Sequence, residues 1–532
     1  MMLLRVVCAR QVLEATVVLL CVLYTSYHDP SWSAATYLYL LAPWALLAVS
    51  SLLVPDRRRA TPDKPQLYRD ADDGDWCFTL LPICLRNTSF ARTSPVSAEF
   101  LVVTCAAAAV VKVSSRCGVK RGSALQNLTV EFAVTAGCAI LLSLVNGPNA
   151  GSVATRALQG GAVTAAAALF LFFVHALPHV CAQSFTLGEV VVVSQCLVVA
   201  LCSAATNFAC RVGGHRGEAG GGACSFSDVA AFNQMLLLGA VCIVLLLTVF
   251  NPARNFRIFF AIVAAVGGFV VVPLLWVLLG RFPFLWLFEY IVSDKIKPAL
   301  IAYWFAASVA AGAIAANFQQ EIRGVTTAVR KYFHLCAIAI FLPGVCVDLQ
   351  LTRLAAGIAL FLFVGAECVR ALCIPPVGEA LRRSLDAFRD EKDGAVVLSH
   401  IHLLVGCALP LFLSDHQVAG LCTPELVSGL LAVGVGDTVA SVGGSKLGRM
   451  RWPGTSKTVE GTTLAAVAQM TCVCVVAWVC RPGIALSEAT RFAFPIVAVS
   501  LLEGFTEQID NFVLPLMLYP MLKVLNANCL DA

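Results

Sequence analysis

Apolar segments that are long enough, or nearly long enough, to cross a lipid bilayer recur along the whole chain. The first lies at 13–27 and the last at 512–526. Hydrophobic residues make up 59% of the 532 residues and charged residues 13%, whereas a soluble domain carries roughly 25% charged residues. A surface with so few charges must face lipid over most of its area. The sequence therefore predicts an all-α polytopic membrane protein.

The number of membrane spans is less sharply defined than their existence. Several apolar runs are shorter than the roughly 20 residues that a perpendicular helix needs, and we expect about 13 to 17 transmembrane helices, with runs at 35–54 and 129–145 among them. The first run resembles a signal peptide, but no small-x-small cleavage site closes it. We therefore interpret it as a retained first helix.

Polar segments suggest a division of the chain into two parts. Residues 1–320 show no cluster of chemically reactive side chains, and we interpret them as a multi-span membrane region of unknown role. Residues 321–532 contain dense polar loops and are predicted to form a catalytic membrane domain. The four loops are 319–332, 378–394, 434–463 and 503–511.

The spacing of these loops predicts that they lie on one side of the membrane. Two apolar runs separate each loop from the next, so the chain returns to the same side each time. The third loop is rich in Lys and Arg, and the positive-inside rule assigns that side to the cytosol. The net charge of +5 is modest and spread along the chain, which does not predict a nucleic-acid partner.

The second loop has the pattern of an interfacial amphipathic helix near 378–393. Leu381, Leu385 and Phe388 recur at helical spacing among charged residues. Such a helix lies in the membrane interface with its apolar side towards the lipid.

The third loop has a composition that suits a polyanion. Glycine lets backbone N–H groups approach phosphate oxygens, while Lys and Arg neutralise the charge. An ordinary positive-inside loop would explain the cations, but it would not explain the glycines or the Lys-Thr-x-Glu-Gly cluster at 457–461. The loop lacks the GxxxxGK[ST] pattern of a P-loop. Its cations and nearby glycines are Lys446, Arg449, Arg451, Lys457, Gly443, Gly444, Gly448 and Gly454.

Asp437 is unusual because it lies within an apolar run. Only 12 residues separate it from Pro424, which span about 20 Å of helix against a ~30 Å hydrocarbon core. The helix must therefore continue through Ser441, which leaves Asp437 below the headgroups. A carboxylate at that depth favours a functional role, although packing against Ser or Thr is an alternative. Asp510 lies similarly between two apolar runs, and two carboxylates beside a cationic loop suit a Mg²⁺–nucleotide complex.

The stretch from Gly434 to Gly461 closely resembles the CTP-binding region of the dolichol kinase family. Further segments match in the family's order between 321 and 526. They are Arg330-Lys-Tyr-Phe-His334, Glu367-x-x-Arg370, Arg389-Asp-Glu391-x-Asp393, Ser399-His-Ile-His402 and Glu507-Gln-Ile-Asp510-Asn511. Cytidylyltransferases that form CDP-diacylglycerol are more distantly similar. The chain lacks their Pro-Gly-His-Gly-Gly run, which counts against nucleotidyl transfer.

The resemblance implies a transferase that phosphorylates the terminal hydroxyl of dolichol with CTP as donor. Mg²⁺ or another divalent cation is the implied cofactor, and the product, dolichyl phosphate, would serve protein glycosylation. The implied location is the endoplasmic reticulum membrane, with the CTP site facing the cytosol. Three alternatives stay open: a cytidylyltransferase, a kinase of another isoprenoid alcohol, and a transporter of a phosphorylated metabolite. No oligomeric state is predicted.

The resemblance and the residue chemistry together give a set of expected roles. The catalytic candidates are Asp437, Lys457, Glu460, Asp510 and His402. The metal candidates are Asp437, Asp510 and Asn511. The CTP-binding candidates are Gly434, Gly436, Lys446, Arg449, Arg451, Gly454, Thr455, Lys457, Thr458 and Gly461. Glu460 is expected either to join the metal or to hold Lys457. His402, His334 and Asp437 are open alternatives for a general base, while His400 and His402 also suit a structural role at the interface.

Overall fold

The computed structural model describes a largely helical chain. The ranges it describes are 2–28, 67–69, 71–86, 103–112, 131–133, 135–137, 153–212, 227–249, 255–321, 327–386, 389–390, 392–414, 423–480 and 490–530. Within these ranges the sole strand-like pairing is an isolated antiparallel bridge between Arg451 and Thr458. The all-α prediction is confirmed.

The helices are numbered in chain order. They are α1 (Met2–His28), α2 (Leu80–Arg86), α3 (Val103–Lys112), α4 (Val153–Val180), α5 (Leu187–Val212), α6 (Asp228–Val249), α7 (Phe256–Val266), α8 (Val272–Leu279), α9 (Pro283–Val292), α10 (Ile296–Glu321), α11 (Thr327–Val347), α12 (Leu349–Ala371), α13 (Gly378–Asp386), α14 (Ser399–Leu413), α15 (Thr438–Leu447), α16 (Val459–Cys480), α17 (Ala493–Phe505) and α18 (Asp510–Leu530). Short 3₁₀ turns precede α2 and α17, and π-helical turns at Gly267–Val271 and Leu430–Asp437 lead into α8 and α15.

The backbone separates into two compact units. The larger comprises 1–29, 210–216 and 225–532, and the smaller comprises 30–209 and 217–224. The predicted division at residue 320 concerns function and stays a prediction, since the larger unit extends across it.

Among the described residues, eight helices are long and apolar enough to cross a membrane, which confirms the multi-pass prediction. They are α1, α4, α5, α6, the continuous α7–α8 segment, α10, α12 and α16. Shorter apolar helices include α9, α11 and α14. The expected total of about 13 to 17 spans stays a prediction, because the run at 35–54 and most of the run at 129–145 lie outside the described residues.

Buried charges in the smaller unit are paired. Lys112, 1% exposed, contacts the carboxylate of Asp75. Thr186 and Glu189 form a reciprocal cap at the start of α5, with the Thr186 N–H donating to Glu189 Oε2 at 2.8 Å. Arg69 lies 2.7 Å from the other Glu189 oxygen. These contacts satisfy buried polar groups at a helix end, as capping boxes do.

The core of the larger unit surrounds α18. This helix packs against α1, α14, α17 and the π-helical turn before α15. Leu518, Tyr519, Met521 and Leu522 on α18 are fully buried. In contrast, α10 leaves almost all of its apolar residues uncovered, as expected for a helix that faces lipid. Gly406 allows α14 to pack closely against α18. A Cβ at this position would lie 1.9 Å from the carbonyl oxygen of Asn511, which is too short for any other residue.

The helix that carries Asp437 continues past it, as predicted. A π-helical turn ends at Asp437, and α15 begins at Thr438 without a break. π-helical turns are rare and are frequent at functional sites. The depth of Asp437 in the bilayer stays a prediction.

The predicted amphipathic helix near 378–393 is shorter than expected. The helix α13 spans Gly378–Asp386, and residues 389–390 and 392–394 are not helical. Asp393 instead holds the start of α14: its carboxylate accepts hydrogen bonds from the backbone N–H groups of Leu398 and Ser399 and from the Ser399 hydroxyl, at 2.6–3.1 Å.

Replacing Gly406 by Ala tests the contact between α14 and α18. We expect it to lower the free energy of unfolding by about 1–3 kcal/mol, because the added methyl group forces the helices apart. Gly365→Ala is the matched control, since nothing lies within 4 Å of a Cβ there and alanine favours helix. Thermal unfolding midpoints of the purified proteins in one detergent measure the difference, and equal midpoints would contradict this packing.

Candidate active site

Charged side chains from all four polar loops meet at one end of the larger unit. Lys331 of the first loop forms an ion pair with Asp437 of the third. Lys392 of the second loop lies 3.6 Å from Asp510 Oδ2 of the fourth. Lys457 of the third loop lies 3.9 Å from the same oxygen. The four loops thus contribute to one cluster of side chains, as loops on one side of a membrane can; the cytosolic side itself stays a prediction.

Asp437 is buried, with 6% of its surface exposed, and two cationic or polar side chains from α11 contact one of its oxygens. Asp437 Oδ2 pairs with the ammonium of Lys331 and lies 3.1 Å from His334 Nε2. The same His334 nitrogen lies 3.1 Å from Asn511 Oδ1. His334 therefore links the π-helical turn to the first residues of α18.

The periodicity of α11 explains why both of these side chains reach Asp437. Lys331 and His334 are three residues apart and share one face of the helix. One turn further, Ile338 faces Gly434 of the π-helical turn, where a Cβ would lie 2.6 Å from Ile338 Cγ1. Gly434 thus lets α11 approach closely enough for the ion pair to form.

Lys457 is directed inward from a short hairpin that the bridge between Arg451 and Thr458 closes. Its Nζ lies 2.5 Å from Glu503 Oε1 and 2.6 Å from the Glu503 carbonyl oxygen. Burial lowers the pKa of Lys457, but the carboxylates of Glu503 and Asp510 raise it more, so its pKa lies well above the ordinary value. Lys457 is therefore positively charged at neutral pH.

The hairpin is anchored on both sides of its turn. Trp452 Nε1 donates to Thr462 Oγ1 at 3.0 Å, and its ring packs edge-on against Phe505 with centroids 4.9 Å apart. The carboxylate of Glu460 accepts the backbone N–H of Met450 at 3.1 Å. These contacts fix the position of the hairpin relative to α16 and α17.

The structure brings together part of the predicted residue set and places the rest elsewhere. The residues at the cluster are Asp437, Lys457, Asp510 and Asn511. Lys446, Arg449 and Arg451 are exposed, and Gly454 and Thr455 lie in the hairpin turn. His402 is half-buried on the first turn of α14. Of the two roles expected for Glu460, the holding of Lys457 is performed by Glu503 in this structure.

Several glycines predicted to approach phosphate lie at close contacts between protein segments. A Cβ on Gly461 would lie 2.6 Å from the Ala440 carbonyl oxygen, and a Cβ on Gly436 would lie 2.5 Å from Gln469 Nε2. Thr458 Oγ1 accepts the N–H of Gly461 at 3.2 Å. Packing of α15 against α16 therefore accounts for much of the glycine content of the loop. A role of these residues towards CTP stays a prediction.

Lys331, Lys392 and Glu503 belong to the cluster but were not among the predicted site residues. The sequence held one usable signal, because Lys331 precedes His334 by three residues within the Arg330–His334 motif. Lys392 and Glu503 are recognisable only from their partners, which lie far away in the sequence.

The donor atoms at the cluster suit a hard divalent cation. Within the described ranges, no group of three or more His, Cys, Asp or Glu side chains is arranged to hold a metal ion. Mg²⁺, however, usually takes only one or two protein carboxylates and completes its shell with phosphates and water. Asp437, Asp510 and Asn511 present only oxygen donors and fit that requirement.

Comparison with known proteins identifies the family of the chain. A family model for dolichol kinase matches residues 157–473, more than half of the chain. The chain belongs to the dolichol kinase family. It is 37% identical over 304 residues to the dolichol kinase of Bos taurus, and 36% identical over 304 residues to that of Homo sapiens. Each alignment covers 54% of this chain and 56% of the relative. The dolichol kinase of Saccharomyces cerevisiae is 28% identical over 240 residues, 44% of each chain.

The family model leaves part of the site outside its range. The chain spans about half the length of the curated relatives it matches, and no solved structure matches it. The family match includes Asp437 and Lys457 but ends before Glu503 and Asp510. It begins N-terminal to residue 320, so the dolichol kinase region is not limited to the predicted catalytic part.

Removing Lys331 tests the buried pair without reference to activity. Lys331→Met should lower the free energy of unfolding by about 3–5 kcal/mol, because a buried carboxylate loses its cation. Adding Asp437→Asn to this variant should restore most of the loss, because the buried charge is then removed as well. The exposed Lys446→Met is the control and should change stability by less than about 0.5 kcal/mol. Thermal unfolding in detergent measures all four proteins, and a double variant as unstable as Lys331→Met would contradict the pairing.

Proposed function

We propose that the chain transfers the γ-phosphoryl group of CTP to the terminal hydroxyl of dolichol, giving dolichyl phosphate and CDP. The observation that carries the proposal is the meeting of Asp437, Asp510 and Lys457 at one end of a bundle of membrane helices. Membership of the dolichol kinase family supports the reaction, and the resemblance of residues 434–461 to the family's CTP-binding region supports the donor.

The charges at the site suit phosphoryl transfer, which depends mainly on positioning and on neutralisation of phosphate charge. The cluster balances three lysines against three carboxylates: Lys331, Lys392, Lys457, Asp437, Glu503 and Asp510. A bound triphosphate adds negative charge that this balanced cluster does not offset. Three exposed cations near Lys457 in the sequence would supply the excess positive charge: Lys446 at the end of α15, Arg449 just before the hairpin, and Arg451 in it.

Asp437 and Asp510, with Asn511, would hold Mg²⁺ or another divalent cation. When bound, the cation supplies charge neutralisation on the phosphate oxygens. The protein's own groups orient the nucleotide, with Lys457 directed to the phosphates and Thr458 available as a hydroxyl donor.

The acceptor is too apolar to leave the bilayer, so the acidic side chains must reach the depth of its hydroxyl group. The position of Asp437 within a continuous helix supports this arrangement. Of the candidate bases, His334 is the one that contacts the cluster, since its Nε2 lies 3.1 Å from Asp437 Oδ2 and from Asn511 Oδ1. Both of these oxygens are acceptors, so Nε2 carries a hydrogen and a proton from the hydroxyl would go to Nδ1. We assign His334 to this proton transfer and leave His402 and Asp437 as the alternatives.

We also propose that the chain resides in the endoplasmic reticulum membrane with the site facing the cytosol. The cationic third loop supports this orientation through the positive-inside rule, and the resemblance to dolichol kinases supports the membrane. The bilayer and the polyprenol are then its principal partners.

Labelled CTP distinguishes the proposed kinase from its main alternative. Purified full-length chain with dolichol in detergent should move a γ-label, but not an α-label, to the lipid and release CDP. Transfer of the α-label with release of pyrophosphate would instead indicate a cytidylyltransferase. Labelling of phytol in preference to dolichol would indicate a kinase of another isoprenoid alcohol.

Asp437→Asn tests the assignment of the buried carboxylate. It should lower kcat by about 10²–10³-fold, because a preorganised charge at the reacting centre is lost. The variant should also be less stable, because Lys331 loses its buried partner, so turnover is measured well below the unfolding temperature of the variant. Glu289→Gln, which changes an exposed carboxylate of α9, should leave turnover unaltered. Near-normal phosphorylation by Asp437→Asn would overturn the assignment.

A further inference from the structure

Glu503 is a buried residue that contacts one lysine through both its side chain and its backbone. It lies in the last turn of α17 and is 5% exposed. Its side-chain Oε1 and its backbone carbonyl oxygen both contact Lys457 Nζ, at 2.5 and 2.6 Å. Two contacts from one residue fix both the position and the direction of the ammonium group.

The segment that carries Glu503 is itself held firmly. The ring of Phe505 packs against Trp452, and a Cβ on Gly504 would lie 3.0 Å from Trp452 Nε1. One turn earlier on α17, Ser500 Oγ accepts a hydrogen bond from Gln469 Nε2 at 3.0 Å. The end of α17 is therefore fixed to both the hairpin and α16.

Lysine needs such support more than arginine does. Its ammonium is a compact charge on a flexible four-carbon chain, and ordering that chain carries an entropic cost. Lys457 must also reach from the hairpin into the space between α17 and α18. A partner that orders the side chain beforehand removes that cost from nucleotide binding.

The two carboxylates near Lys457 are not equivalent. Glu503 contacts the ammonium directly, whereas the nearest oxygen of Asp510 is 3.9 Å away. Asp510 Oδ2 also lies 3.6 Å from Lys392. Glu503 is therefore the carboxylate that holds Lys457 directly, and it keeps the ammonium beside Asp510 at a longer distance.

We propose that Glu503 is a positioning residue, which holds the ammonium of Lys457 where the phosphates of the nucleotide bind. The inference rests on the proposed function, since it concerns the same site. Glu503 then acts through Lys457 alone. Its removal should weaken nucleotide binding without directly affecting the transfer step.

A double-mutant cycle separates this role from the others. The four proteins are the full-length wild type, Glu503→Gln, Lys457→Met and the double variant. For each, kcat and the KM values for CTP and dolichol are measured with γ-labelled CTP. We expect Glu503→Gln to raise the KM for CTP about tenfold, with a smaller change in kcat and an unchanged KM for dolichol.

The decisive comparison is made in the absence of Lys457. In the Lys457→Met background, Glu503→Gln should change the KM for CTP by less than about twofold, because its partner is already gone. Glu503→Asp, which keeps the charge on a shorter side chain, should recover part of the affinity for CTP. Thermal unfolding and elution in detergent show whether each variant folds. If Glu503→Gln does not fold, Glu503→Asp replaces it in the cycle.

Three results would overturn the inference. One is an equal loss from Glu503→Gln with and without Lys457, which would mean that Glu503 acts independently. Another is a fall in kcat at unchanged KM for CTP, which would make Glu503 a catalytic residue instead. A third is wild-type affinity in Glu503→Gln. If the wild type itself forms no γ-labelled lipid, the proposed function fails first and the inference falls with it.

Discussion

The ion pair between Lys331 and Asp437 is the interaction on which the site depends. A carboxylate within an apolar helix is stable only with a cation or strong hydrogen-bond donors beside it. Because the two residues are 106 positions apart, the requirement brings α11 against the π-helical turn before α15. His334 lies on the same face of α11 and extends the contact to Asn511. The pairing of the Asp437 carboxylate therefore links α11, the π-helical turn before α15, and α18.

Close backbone packing makes these electrostatic contacts geometrically possible. Ionic side chains of limited length can meet only if the helix ends that carry them approach closely. Gly434 permits the approach of α11, Gly461 that of α16 to α15, and Gly406 that of α14 to α18. The glycines therefore allow the short distances between helices at which the charged side chains can form ion pairs.

The sequence predicted those features that depend on local pattern or on counting. Long apolar runs predicted the helical membrane class, and the short distance from Pro424 predicted a helix that continues past Asp437. The even number of runs predicted loops on one side of the membrane, and the meeting of their side chains is compatible with that prediction. The role of Glu503 was not predictable, because its partner lies 46 positions away and nothing local distinguishes it from other loop acids. Asp393 illustrates a similar limit: it fits the polar side of an amphipathic helix, but its carboxylate bonds to the backbone at the start of α14.

The cations of the third loop have different environments, although the sequence presents them as one group. Lys457 is directed inward and is compensated by Glu503, whereas Arg449 and Arg451 are exposed. A cluster whose charges balance is stable in a medium of low dielectric constant without any ligand. It gains little, however, from attracting a polyanion, since its positive charges already have partners. Long-range attraction of a nucleotide must therefore come from the exposed cations, and the compensated lysine contributes only when phosphate oxygens come within direct contact. Arg449 and Arg451 would thus attract the nucleotide from a distance, whereas Lys457 would bind its phosphates at direct contact.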